Sequence, residues 1–267
     1  MDPDQPDEPA AQLDQPTKDF YLCALDLLDH AQVPYVVAGA YALACHAQIV
    51  RHTKDLDVFL KRADVRRAMN AFERAGFRAE RTHPHWLAKA FDQRDDAFVD
   101  MIFRSANGLC EVDDDWLARG VPGHVLGRPT RICPAEEMIW SKSFVMARER
   151  FDGADIYHIL RARGKELDWD RLLQRFDGYE QLLLAHLMMY RFVYPSKPEH
   201  VPDDVIDRLH ARIRLPIPAR DKVCRGTLLS WDQYEPDLRR WGYEDARLQP
   251  YGNLTHDEID QWTRAPK

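Results

Sequence analysis

The chain has 267 residues, 45% hydrophobic and 30% charged, with 12 Gly and 17 Pro, which allows one large or two modest domains with apolar cores and excludes a fibre or a wholly disordered chain. Five widely spaced cysteines (Cys23, Cys45, Cys110, Cys133, Cys224), with no C-x-x-C pair, argue against a disulfide framework or a cysteine-rich zinc site and for a reducing, cytoplasmic setting. The net charge of −7 is largely local, because five of the 44 acids (Asp2, Asp4, Asp7, Glu8, Asp14) fall in the first sixteen residues, leaving 39 against 37 bases.

Residues 1–16 contain four prolines and no Lys or Arg, too little apolar area to offset ordering, and read as a disordered acidic tail. Thr17 is the expected N-cap of a first helix, in which Phe20, Cys23, Ala24, Leu27 and Leu28 recur at helical spacing. Pro34 introduces a buried strand, YVVAG, then the short apolar turn AYALACHA and a second strand, DLDVFL. A helix over 63–75 ends at Gly76, FRAER follows as a strand, and AFVDMIF is a further strand of mainly β-forming residues. Residues 105–133 read as irregular or short-strand structure with turns at Gly120, Gly123 and Gly127. Pro134 then opens a helical region comprising AEEMIWSKSFVMARER, ADIYHILRARG, DWDRLLQRF, YEQLLLAHLMMYRFVY and DDVIDRLHARI. The last forty residues are ambiguous. No apolar run approaches the roughly 18 residues of a membrane span, and the N-terminus lacks the basic and apolar regions of a signal peptide, so no membrane association is expected.

The chemistry concentrates between Gly39 and Val58. Asp55 and Asp57, at i and i+2 of a strand, point to one face, where their like charges repel unless a cation lies between them. Mg²⁺ suits carboxylate oxygens that share the ion with a triphosphate. Gly39 follows a strand and precedes the small Ala40, a turn at which backbone N–H groups approach a phosphate closely, and Arg51 and Thr53 precede the aspartates. Asp100, inside the apolar run FVDMIF, is costly to bury unless paired or metal-bound. If its strand neighbours DLDVFL, the three carboxylates converge on one metal pair. On the residues alone, a surface acidic pair and a solvent-facing Asp100 on an edge strand remain open.

The string GAYALACHAQIVRHTKDLDVFL, with its R-x-T-x-D-x-D form, resembles the active-site signature of the nucleotidyltransferase fold superfamily, particularly its AbiEii-like and small-molecule-modifying bacterial members. AEEMIWSKSFVMARERFDGADIYHIL resembles the second part of the AbiEii-like pattern, a helical lysine followed by basic residues and D-x-x-D. The resemblance spans about residues 34 to 160. It implies an α+β fold in which a nucleotidyltransferase-like mixed sheet with flanking helices, over 17–133, precedes a mainly helical C-terminal domain over 134–267.

The same resemblance implies metal-dependent transfer of an NMP from an NTP such as ATP to a hydroxyl of tRNA or another macromolecule, with two Mg²⁺ ions and release of pyrophosphate. Gly39 and Ala40 would contact phosphate, together with Arg51 and Thr53. Asp55 and Asp57 would ligate metal, and Asp100 would be the third ligand and the base for the acceptor hydroxyl. Lys142 would reach the triphosphate, with Asp152 or Asp155 supporting it. On the residues themselves Lys142 equally suits a solvated helix position, and Asp152 or Asp155 a helix cap. Ala40 stands where the family has Gly or Ser, which keeps the volume small and removes a hydroxyl. A protein or small-molecule acceptor, and an antitoxin protein as partner, also fall within the resemblance. An antibiotic-modifying (aminoglycoside or lincosamide) adenylyltransferase and a non-catalytic nucleotide-binding module are the alternatives.

The sequence has no P-loop, no G-x-G-x-x-G and no G-x-S-x-G, which disfavours P-loop, Rossmann and hydrolase-elbow chemistry. Two basic stretches, Lys61–Arg94 and Arg208–Arg225, suit either RNA phosphates or solvated helix faces.

Overall fold

The computed structural model describes residues 13–51, 53–214 and 222–264. Most of the expected acidic tail, residues 1–12, therefore lies outside the described residues, as do His52 and Arg220. The first helix, α1 (Gln15–His30), starts earlier than the predicted cap at Thr17: Asp14 is the N-cap, and its carboxylate accepts from Thr17 N at 3.0 Å. Pro16 is tolerated in that first turn because its missing N–H would have had no intrahelical partner there.

The chain continues through β1 (Tyr35–Val37), α2 (Gly39–Ala47), β2 (Asp55–Leu60), a 3₁₀ turn, α3 (Val65–Arg74), β3 (Arg78–His83), β4 (Leu87–Phe91), β5 (Phe98–Ile102), α4 (Asp114–Ala118), β6 (Val121–Val125) and β7 (Arg128–Ile132). These strands form a seven-stranded mixed sheet in the order β3-β4-β5-β2-β1-β7-β6. β2 runs parallel to β5 and antiparallel to β1, while β4 is antiparallel to β5. In β2 the side chains alternate: Leu56 and Val58 are fully buried, Asp55 and Asp57 half-buried. One face of the strand thus joins the core and the other carries the acids. Val65, Ala68, Met69 and Phe72 form the buried stripe of α3, which packs beside α1. Gly76, at φ +86°, follows α3 as expected.

Three expectations for this half are revised. LAKAF, unassigned in the sequence, is β4, held by pairing on both sides. Residues 121–132 form a regular hairpin closed by Leu126 and Gly127, both at positive φ, the geometry that matches strand twist. Gly123 is no turn; it lies within β6, paired with Thr130 of β7, where a Cβ would meet Ile132 and the Cys45 sulfur.

The chain divides into two compact units, residues 1–134 with 256–267, and residues 135–255. The second is mainly helical: α5 (Ala135–Ser143), α6 (Gly153–Arg163), α7 (Trp169–Arg175), α8 (Glu180–Val193), α9 (Asp203–Ile213) and α10 (Trp231–Trp241), with the short strand pair β8 (Val223–Cys224) and β9 (Glu244–Asp245). Its interior holds Glu137, fully buried, between Arg171 at 2.5 Å and Arg175 at 3.1 Å. Within the same core His186 Nε2 donates to Ser143 O at 3.0 Å, and its Nδ1 faces the Tyr157 hydroxyl at 3.4 Å. The helix expected over AEEMIWSKSFVMARER stops at Ser143, whose hydroxyl bonds back to Ile139 O, and Phe144 turns inward against Phe176 and Tyr179. Residues 144–152 form a turn closed by a bridge between Met146 and Phe151.

A last helix, α11 (His256–Arg264), belongs to the sheet-bearing unit. There Glu258 faces the buried guanidinium of Arg104 at 3.3 Å. No helix among the described residues is long and apolar enough to cross a membrane.

Candidate active site

The site is built at the edge where β1 turns into α2 beside β2. Ala38 N donates to Asp57 O at 2.9 Å, which fixes the turn against the strand, and Gly39 opens α2 at φ +56°. A Cβ on Gly39 would overlap the Asp57 carboxylate, so only glycine admits that side chain beneath the turn. Ala38 supplies no side-chain cap. A helix start of this kind favours negative charge through its first N–H groups and its dipole.

The parallel register of β2 and β5 sets Asp57 directly opposite Asp100, and Asp55 opposite Phe98. Asp55, Asp57 and Asp100 each offer a carboxylate oxygen, and these oxygens lie within 4.8 Å of one another. The convergence expected from the sequence is therefore present. Thr53 hydrogen bonds through its hydroxyl to the Asp55 carboxylate. Burial pushes the Asp100 carboxyl above its ordinary range, against the opposing pull of Lys89.

Two neighbours had escaped the sequence reading. Lys89, opposite Asp100 across the β4–β5 pair, places Nζ 2.8 Å from Asp100 Oδ1. Tyr21, fully buried on α1, donates its hydroxyl to Lys54 O at 2.6 Å and so braces the entry to β2. Burial, the Tyr41 phenol and the carboxylates of Asp55, Asp100 and Asp57 push the Tyr21 phenol well above its usual range. Tyr21 lies outside the apolar stripe read along the first helix (Phe20, Cys23, Ala24, Leu27, Leu28), and Lys89 sat on an unassigned strand.

Ala40 is half-buried in the first turn of α2, and Arg51 is exposed on the loop before β2. In the helical unit, Lys142 Nζ lies 2.9 Å from Asp152 Oδ2 and 2.8 Å from Asp155 Oδ2. Asp152 occupies the N-cap position of α6 without making a side-chain cap bond. Burial acts to raise its carboxyl, but Lys142 and Arg150 outweigh burial and hold it below the ordinary range.

The three carboxylates fit a hard divalent cation: they offer only oxygen donors, on adjacent strands, at a spacing one or two ions can bridge. Lys89 offsets part of their mutual repulsion through its ion pair with Asp100. Mg²⁺ or Mn²⁺ would be held by Asp55, Asp57 and Asp100.

A family model described as "Uncharacterised nucleotidyltransferase" matches residues 24–192, which include the whole acidic cluster. No curated protein matches the chain. Among solved structures, an antigenic nucleotidyltransferase-like protein from Paracoccidioides brasiliensis aligns at 15% identity and a TM-score of 0.45, covering 71% of this chain and 94% of that one. The antibiotic-resistance factor ANT(2")-Ia, solved in complex with adenylyl-2"-tobramycin, aligns at 15% identity and 0.43, covering 61% and 97%. The lincosamide antibiotic adenylyltransferase LnuA, lincomycin-bound, aligns at 15% and 0.37, covering 53% and 94%.

Proposed function

The chain belongs to this family of uncharacterised nucleotidyltransferases, and we propose that it transfers an NMP from an NTP to a hydroxyl of a macromolecule, tRNA in the first instance, in the manner of AbiEii-like enzymes. The observation that carries the reading is the meeting of Asp55, Asp57 and Asp100 across β2 and β5. Divalent ions bound there supply charge neutralisation for the triphosphate and polarise the acceptor oxygen.

The chain's own residues supply the rest. Asp55 and Asp57 hold the ions, with Asp55 steadied by Thr53. The first turn of α2, Gly39 and Ala40, receives phosphate oxygens. Asp100, its carboxyl raised by burial, accepts the proton of the acceptor hydroxyl. The acceptor oxygen forms a bond to the α-phosphorus, the bond from that phosphorus to the bridging oxygen breaks, and pyrophosphate leaves. Arg51 lies on the loop entering β2 and contributes to triphosphate binding; the same role is proposed for Lys142, which Asp152 and Asp155 hold.

A polyanionic acceptor is supported by exposed arginines of the sheet-bearing unit, Arg66, Arg74 and Arg81. Incubating the protein with each of four α-labelled NTPs, Mg²⁺ and total cellular RNA or protein tests the proposal. Label in an RNA band, lost in Asp55→Asn, is the expected result. Label only in a small polar acceptor such as an aminoglycoside would move the protein to the antibiotic-modifying class, and binding of NTP without turnover would end the enzymatic reading of the acceptor step.

A further inference from the structure

Register places three side chains in one row across three neighbouring strands: Lys89 on β4, Asp100 on β5 and Asp57 on β2. Lys89 Nζ is 2.8 Å from Asp100 Oδ1, and it rests 3.7 Å from the centroid of the Phe98 ring. Its side chain is only 19% exposed and that of Asp100 only 13%. An ammonium at that depth, gripped by a carboxylate on one side and an aromatic face on the other, has little freedom to leave. It thereby fixes the rotation of the Asp100 carboxylate about its own axis.

From this geometry we propose that Lys89 is a positioning residue for the metal site. It holds Oδ1 of Asp100, so that the other oxygen is presented toward Asp55 and Asp57 for a divalent cation. Phe98 completes the device: it lies two residues before Asp100 on the same strand face, and opposite Asp55 in the β2 register. Without Lys89, Asp100 loses that ion pair while two like charges stand beside it, and it turns away from them. The inference rests on the reading of the three aspartates as metal ligands, and the test separates the two.

Mn²⁺ binding to the nucleotide-free protein is titrated by electron paramagnetic resonance in the wild type, Lys89→Met, Lys89→Arg, Asp100→Asn and the Lys89→Met/Asp100→Asn double variant, alongside melting curves without metal. Lys89→Met is expected to weaken Mn²⁺ binding by about 10- to 100-fold, the usual effect of removing a partner that orients a metal ligand. Lys89→Arg, which keeps the charge and the contact with Phe98, is expected to restore most of it. In the Asp100→Asn background Lys89→Met should have no further effect, because its influence passes through that carboxylate. If Lys89→Met does not fold, Lys89→Gln carries the same expectation.

Unchanged or tighter Mn²⁺ binding in Lys89→Met overturns the inference, as does an equal shift with Asp100 present or absent, which marks a bulk charge effect. A wild-type protein that binds no Mn²⁺, or binds it equally well after Asp55→Asn, overturns the metal reading itself. Wild-type binding that depends on Asp55 but ignores Lys89 overturns the positioning role alone.

Discussion

Gly39 and Asp57 occupy positions so close that no side chain larger than hydrogen fits at residue 39 while the carboxylate stays in place. Gly39→Ala is therefore expected to be damaged twice. The positive φ adds about 1–2 kcal/mol of strain for an L-residue, and the methyl group displaces the Asp57 carboxylate. Urea unfolding should show the loss of stability, and Mg²⁺-dependent pyrophosphate release should fall further than the stability change accounts for.

Asp100→Asn keeps the shape of the side chain and removes its ability to take a proton. Its kcat is expected to drop by about 10²- to 10⁴-fold, the span of a lost general base, with a smaller change in KM for the NTP. Asp55→Asn and Asp57→Asn should abolish pyrophosphate release at any accessible Mg²⁺ concentration. Circular dichroism should report all three variants as folded, since the half-buried acids repel one another in the absence of metal.

Lys142 holds two carboxylates that are themselves shielded from water, Asp155 at 6% and Asp152 at 12% side-chain exposure. Lys142→Met removes the ammonium shared by both carboxylates while leaving Arg150 at 3.2 Å from Asp152, and should cost about 3 kcal/mol of stability, the lower end of what breaking a buried ion pair costs. The triple variant Lys142→Met/Asp152→Asn/Asp155→Asn should recover most of that loss in denaturant unfolding. A separate contribution of Lys142 to the reaction would appear as lost turnover in the triple variant at restored stability.

Two buried histidines make stability depend on pH. Burial lowers His85 from its ordinary 6.5 to about 4, and burial likewise lowers His186. In the unfolded chain both take up protons near pH 6.5, while in the folded chain they remain neutral to lower pH. The unfolded state therefore binds more protons in that window, and folded stability rises with pH. Their contribution is complete above about pH 6.5 and declines on acidification toward the folded value near 4. Melting temperature should fall between pH 7 and pH 5, and His85→Asn and His186→Asn should each flatten that slope.

The carboxylates could be read from the sequence because they obey simple geometry. Alternation along DLDVFL put Asp55 and Asp57 on one face, and an acid inside FVDMIF demanded a partner. Lys89 followed no such rule. LAKAF has two alanines and a lysine among its five residues, a weak strand signal, and it becomes β4 only because β3 and β5 pair with it on either side. The end of α5 was hidden for a related reason: helical spacing runs on past Ser143, but the aromatic pocket of Phe176 and Tyr179 draws Phe144 out of the helix. α11 could not be allotted by pattern at all, since its place with the sheet-bearing unit depends on Glu258 reaching an arginine 154 positions away.

The parallel pairing of β2 with β5 has a kinetic consequence. Asp57 and Asp100 are neighbours in space but separated along the chain by a helix and two strands, so their encounter requires a non-local closure of the kind that forms slowly. A cation that needs all three acids finds no partner in the unfolded ensemble and little in a half-built sheet. Its binding energy is then added to the finished fold, and Mg²⁺ should lengthen the lifetime of the native protein by slowing its unfolding while leaving the rate of folding almost untouched.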